Sequence, residues 1–292
     1  MIKEYFKLLR IPQWIKNFFV FVPLIFSRHL FQSNYFKMSI FGFCLFCITS
    51  SIVYIINDIV DVKADRAHPV KKNRPIASGK ISVKQALIAV LILSIGIVIS
   101  ILFFNLNFAI ALCAYFVLNF FYSISLKHIV LIDIFSIAAG FVIRVIAGAF
   151  IINVEISSWL MLTTLFISLF LAIMKRQSEL KLVSADENSS TRKVLSDYSL
   201  EFTNQMATVT ASAVIICYAL YTVSSRTVTV FDTDNLIYTT PFVVFGIFRY
   251  MYLVHINKKG ENTTEIMISD VPMIFTVLLY ILTTTLIIYK II

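Results

Sequence analysis

Asn57, Asp58, Asp61 and Asp65 give the chain its densest chemical signal, in the run Asn57-Asp58-Ile59-Val60-Asp61-Val62-Lys63-Ala64-Asp65. If a helix continues through this run, the aspartates fall at i, i+3 and i+7, Asn57 lies one turn from Asp61, and all four share one face. Carboxylates crowded on one face repel one another, so a divalent cation or a basic partner must neutralise them. Hard oxygen ligands of this kind suit Mg²⁺, which takes one or two carboxylates and commonly fills its other positions with water and substrate phosphate. The plainer alternative is an acidic helix end paired with Lys63 and Arg66.

The segment that follows, Arg66 to Gly79, is basic and broken by Pro69 and Pro75. It reads as a loop folded over the carboxylates. Arg66 and Arg74 could grip phosphate oxygens there, since a guanidinium bonds them in bidentate fashion, and His68 lies in the same loop. Asp133 and Arg144 are eleven residues apart, close to three helical turns, with Gly140 between them. Ionisable residues inside an apolar stretch face protein or a water-filled cavity, so this pair marks a candidate ligand cavity. Lys16 and Asn17 precede the first apolar stretch, and Lys175 and Arg176 follow a later one. Lys175 also stands four residues before Glu179, the spacing of an ordinary helix salt bridge.

The elements that position these residues must be membrane helices. The chain has 292 residues, 59% apolar and 14% charged, against roughly 25% charged in soluble domains. Its mean hydropathy of +0.87 excludes a soluble globular protein. Nine apolar stretches, near 18–36, 38–56, 85–104, 107–125, 129–152, 156–174, 205–224, 236–254 and 272–291, approach or exceed the ~20 residues that cross a bilayer. An all-α polytopic membrane domain then fills residues 1–292. Pro23, Arg28 and His29 interrupt the first span. Ile2, Phe6 and Leu9, with Lys3, Lys7 and Arg10, suggest a short interfacial helix before it, and the charges scattered there do not read as a cleaved leader.

Long polar loops near 57–83, 175–204 and 255–271 each follow an even-numbered span. Twenty of the 25 Lys and Arg lie on that side or at the N-terminus and four on the other, so the positive-inside rule places the N-terminus and these loops in the cytoplasm and the C-terminus outside. The net charge of +9 then records topology and anionic headgroups or phosphates; no stacking platform for nucleic acid is present. Cys44, Cys47, Cys113 and Cys217 all lie in apolar runs, where a thiol is a small hydrophobe.

The run N-D-x-x-D-x-x-x-D, followed by R-x-H-P-x-K-x-x-R-P-I-A-S-G, resembles the first aspartate motif of the UbiA family of intramembrane prenyltransferases. Arg10 to Asn17, Tyr122-Ser123 through Lys127, Asp133, Gly140 to Arg144, Lys175 to Leu180, Phe248 to Leu253, and Glu265-Ile266 through Ser269-Asp270 are similar to its polyprenyl-phosphate phosphoribosyltransferase branch. The resemblance implies about nine transmembrane helices in a bundle around a central cavity open to the cytoplasmic side of the cell membrane. One departure matters. Family members usually carry a second D-x-x-x-D after span six, whereas this chain offers Lys175, Arg176 and Glu179, then Asp186, Glu187 and, as D-x-x-x-E, Asp197 with Glu201.

On this resemblance the chain is a Mg²⁺-dependent transferase that moves 5-phosphoribose from 5-phosphoribosyl 1-diphosphate to a polyprenyl phosphate and releases diphosphate. Asp58, Asp61 and Asp65 would hold the metal. Lys16, Lys127, Arg144, Lys175 and Arg176 would position phosphates, Arg66 and Arg74 would close over the donor, and Asn17, Asn57 and Asp133 would line the substrates. The nearest alternative is a conventional UbiA enzyme that joins a prenyl diphosphate to an aromatic or other acceptor. A transporter or lipid-binding protein whose acidic mouth binds cations is a weaker fit, because the acidic residues cluster at one end instead of continuing through the membrane.

Overall fold

A computed structural model describes residues 2–67, 71–183, 195, 197–255 and 269–290. Helices account for all the regular structure among them. Short α1 (Ile2–Leu8) leads into a 3-10 helix, Ile11–Phe21, and the single turn α2 (Val22–Ile25). The long helices are α3 (Ser33–Val60), α5 (Val83–Ile101), α6 (Leu106–Ile124), α7 (Ile132–Ile151), α8 (Ser158–Val183), α9 (Leu200–Val223), α11 (Thr240–His255) and α12 (Val271–Ile288). Between them lie α4 (Val62–Ala67), a 3-10 turn at Leu126–His128 and α10 (Ser225–Phe231).

Among the described residues eight helices are long and apolar enough to cross a membrane, counting Asn235–Thr239 as the start of the α11 span, and the shorter Ile11–Ile25 adds a ninth apolar helical segment. The protein is therefore multi-pass. The expected first span at 18–36 is corrected: the helix stops at Ile25 and α3 starts at Ser33. Pro12 and Pro23 each remove a backbone donor and crowd the preceding turn, which explains the 3-10 geometry and the break at Val22. The polar segments were also drawn too long. Helix persists through Val60 and again over Val62–Ala67, α8 runs to Val183, and α9 begins at Leu200. Hydropathy detects where a helix leaves the apolar layer, and the hydrogen-bonded spiral continues past that point. Of the loop residues singled out above, His68, Asp186, Glu187, Glu265 and Ile266 lie outside the described residues.

Capping fixes several helix starts at defined residues. Ser82 and Gln85 form a capping box on α5, Asn105 caps α6 through the Phe108 N–H, and Ser199 caps α9 through Phe202. Asp270 caps α12 and also takes both arms of Arg249, at 3.0 and 2.8 Å.

The two most enclosed spans are α3 and α7, and α5 is the most exposed to lipid. Lipid tails supply no hydrophobic drive between helices, so close approach depends on small residues. Gly148 of α7 shows this directly. A Cβ there would collide with the Val20 carbonyl of the 3-10 helix. The contact draws the first helical segment onto α7 and determines what meets one turn away on each helix.

Candidate active site

The functional side chains fall into three neighbouring groups at one end of the bundle and just inside it. The first is the aspartate motif. Asp58 sits in the last turn of α3, and helical bonds continue past it: Asp61 N–H donates to Asn57 O at 2.9 Å, and Asp65 N–H to Asp61 O at 2.8 Å. The continuous spiral expected from the sequence is thus present with a small break at Asp61. Asp58 and Asp65 converge on one atom, since Arg74 Nη1 donates to Asp58 Oδ1 at 3.2 Å and to Asp65 Oδ2 at 2.5 Å. Arg10 also pairs with Asp58 and stacks over the Tyr54 ring. Asp61 turns elsewhere; both of its oxygens accept from Lys127 Nζ, at 2.9 and 3.0 Å.

Arg74 is aimed by its loop. Ile76 and Ile81 are buried with Leu8, Ile55 and Ala86, Ser78 N–H bonds back to Arg74 O, and Gly79 takes a φ of 77° that suits glycine. Two buried isoleucines therefore pin a basic loop onto the bundle. Arg66 bonds the Ala77 carbonyl at 3.2 Å, so it braces this loop, and it pairs with no carboxylate among the described residues.

The second group lies deeper and is built by the Gly148 contact. In a 3-10 helix residues three apart eclipse, so Asn17 stacks under Val20, while Arg144 lies one α-helical turn below Gly148. Arg144 Nε donates to Asn17 Oδ1 at 2.7 Å, Nη2 to Tyr115 Oη at 2.7 Å and Nη1 to Gly140 O at 2.8 Å. Its guanidinium also lies over the Tyr115 and Phe141 rings. Asn17 is completed by Ser50 and Cys47 on α3. The space beside Gly140 is taken by Arg144 itself. Arg144 is 5% exposed, yet no carboxylate pairs with it among the described residues. Half-buried Lys16 stands near enough to feel Arg144 and Arg10 as like charges. Arg144 is thus a buried cation whose partners among the described residues are all neutral, with a second cation, Lys16, beside it.

The third group is compensated. Arg176 and Asp133 are both fully buried, with Nε donating to Oδ2 at 2.6 Å. Arg176 also pairs with Glu179 and reaches the Tyr122 hydroxyl. Tyr198 donates to Asp133 Oδ1 at 2.7 Å and accepts from Leu131 N–H at 2.7 Å. Burial and that carboxylate push the Tyr198 hydroxyl well above the ordinary phenol range, so it stays a proton donor. Lys175 stands 4.0 Å from Glu179 at the helix salt-bridge spacing. Asp133 and Arg144, paired on one face in the sequence reading, therefore belong to different groups.

Sequence reasoning missed Arg10, Tyr115 and Tyr198 as members of these groups. Arg10 was visible as a cation two residues before Pro12. The tyrosines carry no local signal, because phenols in an apolar helix or beside a loop look the same whether or not they meet a buried charge.

The donor set suits a hard divalent cation. Among the described residues no three acidic, histidine or cysteine side chains are gathered as a ready-made site. Two carboxylates nevertheless converge on one point, now held by Arg74 Nη1, and two is what Mg²⁺ requires when substrate phosphate and water fill its shell. The UbiA prenyltransferase family model matches residues 19–288. The chain belongs to the UbiA prenyltransferase family. It is 33% identical over 275 residues to the decaprenyl-phosphate phosphoribosyltransferase of Mycolicibacterium smegmatis, covering 90% of this chain and 86% of that one. The enzyme of the same name from Corynebacterium glutamicum is 35% identical over 219 residues, covering 74% of this chain and 66% of that one. A UbiA homologue from Archaeoglobus fulgidus bound to DMAPP and Mg²⁺ shares the fold, with a TM-score of 0.73 at 17% identity over 98% of this chain and 99% of that one.

Proposed function

We propose that this UbiA protein transfers 5-phosphoribose from 5-phosphoribosyl 1-diphosphate to a polyprenyl phosphate. The observation that carries the reading is the Arg144 interior beside Lys16, where the buried guanidinium has no carboxylate partner among the described residues. A buried cation without a counter-ion is strongly disfavoured unless a ligand supplies the charge. A phosphate monoester would do so, and a neutral aromatic acceptor would not. The names of the two relatives point the same way.

In this reading Asp58, Asp61 and Asp65 would hold Mg²⁺, which when bound neutralises charge on the diphosphate leaving group. Every other task falls to side chains. Arg74, Arg10 and Lys127, now on the carboxylates, would turn to donor phosphate oxygens as the donor enters. Arg66 would keep the 71–81 loop closed over the donor, and Asn57 would face it from the last turn of α3. Lys16, Arg144 and Asn17 would orient the lipid phosphate from below, Lys175 would frame the mouth, and the buried Asp133–Arg176 pair would brace the helices beside it. A phosphate oxygen forms its bond to the ribose anomeric carbon while the bond from that carbon to the diphosphate oxygen breaks, and the electron pair leaves on diphosphate. A phosphate monoester is already anionic near neutral pH, so the site needs no strong general base. The prenyl tail would lie among the apolar helices of a central cavity. The Lys and Arg bias supports the motif end and N-terminus on the cytoplasmic side of the cell membrane and the C-terminus outside.

The test is direct. Purified protein with Mg²⁺, decaprenyl phosphate and ribose-labelled 5-phosphoribosyl 1-diphosphate should place label in the lipid extract, and EDTA should abolish it. Folded protein that leaves the lipid unlabelled across a panel of polyprenyl phosphates would contradict the reading and favour a prenyl diphosphate donor.

A further inference from the structure

Leu131, at the turn from α6 to α7, has a φ of 66° and a ψ of −41°. An L side chain is strained in that region and glycine is not. Strain of this kind persists only where the surroundings over-determine it. Here the Tyr198 hydroxyl is the surrounding group that does so. It accepts the Leu131 N–H at 2.7 Å and donates to Asp133 Oδ1, two residues on, at 2.7 Å. One phenol from the segment just before α9 thus ties the strained residue to the first turn of α7. Asp133 is held in turn by Arg176.

Four residues before Leu131 is Lys127, 5% exposed, in the 3-10 turn Leu126–His128. His128 N–H bonds Ser125 O, Ile129 N–H bonds Leu126 O, and Asp133 N–H bonds Ile129 O. The connection therefore has little slack, and the path of the chain at Leu131 sets where the Lys127 ammonium meets both oxygens of Asp61.

We propose that Tyr198 is a positioning residue for the aspartate motif: it holds the Leu131 turn in its strained form, and that form sets Lys127 against Asp61. The inference rests on the reading of the motif as the diphosphate site. Loss of the hydroxyl lets the turn relax to negative φ, and binding diphosphate then requires the strain to be restored. Glycine at 131 removes that requirement; alanine does not. Leu131 is 39% exposed, so truncating it gives up little packing.

The test is calorimetric binding of magnesium pyrophosphate to the full chain in nanodiscs, with melting temperature measured alongside. Tyr198→Phe should weaken binding about tenfold, which is about 1.4 kcal/mol. Tyr250→Phe, which removes a buried hydroxyl without a partner among the described residues, should leave binding unchanged. Adding Leu131→Gly to Tyr198→Phe should restore binding to within about threefold of the parent, and adding Leu131→Ala should not. Wild-type binding in Tyr198→Phe, or equal rescue by alanine, would overturn the proposal. Asp58→Asn separates the two levels. If it abolishes binding while Tyr198→Phe does not, the positioning role alone falls; if it binds like wild type, the diphosphate reading falls and takes this inference with it.

Discussion

Arg144 and Arg176 are both buried arginines next to the same end of one bundle, and their surroundings differ in a single respect. Arg176 has Asp133 and Glu179 within ion-pair reach, so its charge is cancelled by the protein. Arg144 has an amide, a phenol, a carbonyl and two ring faces, so its charge is oriented but not cancelled. The contrast teaches how to separate structural from ligand-facing charge inside a membrane protein. A desolvated cation with its own carboxylates belongs to the fold, and one surrounded by neutral donors and acceptors awaits an anion.

Removing each arginine is the sharpest way to break this comparison. Arg176→Met leaves Asp133 buried without its counter-charge and should destabilise the protein by about 3–5 kcal/mol, read as a lowered unfolding midpoint in detergent. Arg144→Met removes a charge that no carboxylate among the described residues pairs with, so the midpoint should hold or rise while phosphoribosyl transfer falls at least about a hundredfold, as expected when a group that positions the attacking phosphate is lost. Equal destabilisation by both substitutions would dissolve the distinction.

A smaller effect probes what aims Arg144. Gly148→Ala places a methyl against the Val20 carbonyl, which must push the 3-10 helix off α7 and lengthen the Arg144–Asn17 bond. Transfer should drop about tenfold, a typical result of displacing a positioned group by a fraction of an ångström to one ångström. Gly246→Ala meets open space and should be silent in the same assay. The smallest effect belongs to the edge of the compensated group. Lys175→Ala breaks a partly exposed i, i+4 pair and should shift stability by no more than about 0.5 kcal/mol; a larger shift would show that Lys175 carries more of that group than its 4.0 Å separation from Glu179 suggests.

Much of this was legible before any coordinates. Helical spacing through Asp58, Asp61 and Asp65, the ionisable residues inside the fifth apolar stretch, and the family are all written in local pattern. Hydropathy placed the long spans because an apolar run must avoid water wherever it packs. It misjudged the first span because prolines at 12 and 23 alter hydrogen bonding without altering hydropathy. Partner choice was the illegible part. Asp133 and Arg144 share a helix, and which of them receives a counter-charge depends on Arg176 and Tyr198, 43 and 65 residues from Asp133 in sequence. Gly148 carries no local signal either, because its role depends on the Val20 carbonyl that lies against it from a distant part of the sequence.

The most direct test of the central claim is the affinity of the nanodisc-embedded protein for decaprenyl phosphate and for uncharged decaprenol, measured in EDTA for wild type and for Arg144→Met. The account predicts that wild type binds the phosphate at least tenfold more tightly than the alcohol without added metal, and that Arg144→Met erases the difference while still binding both. Equal affinity of wild type for the two lipids, or a phosphate preference that survives the loss of Arg144, would contradict it.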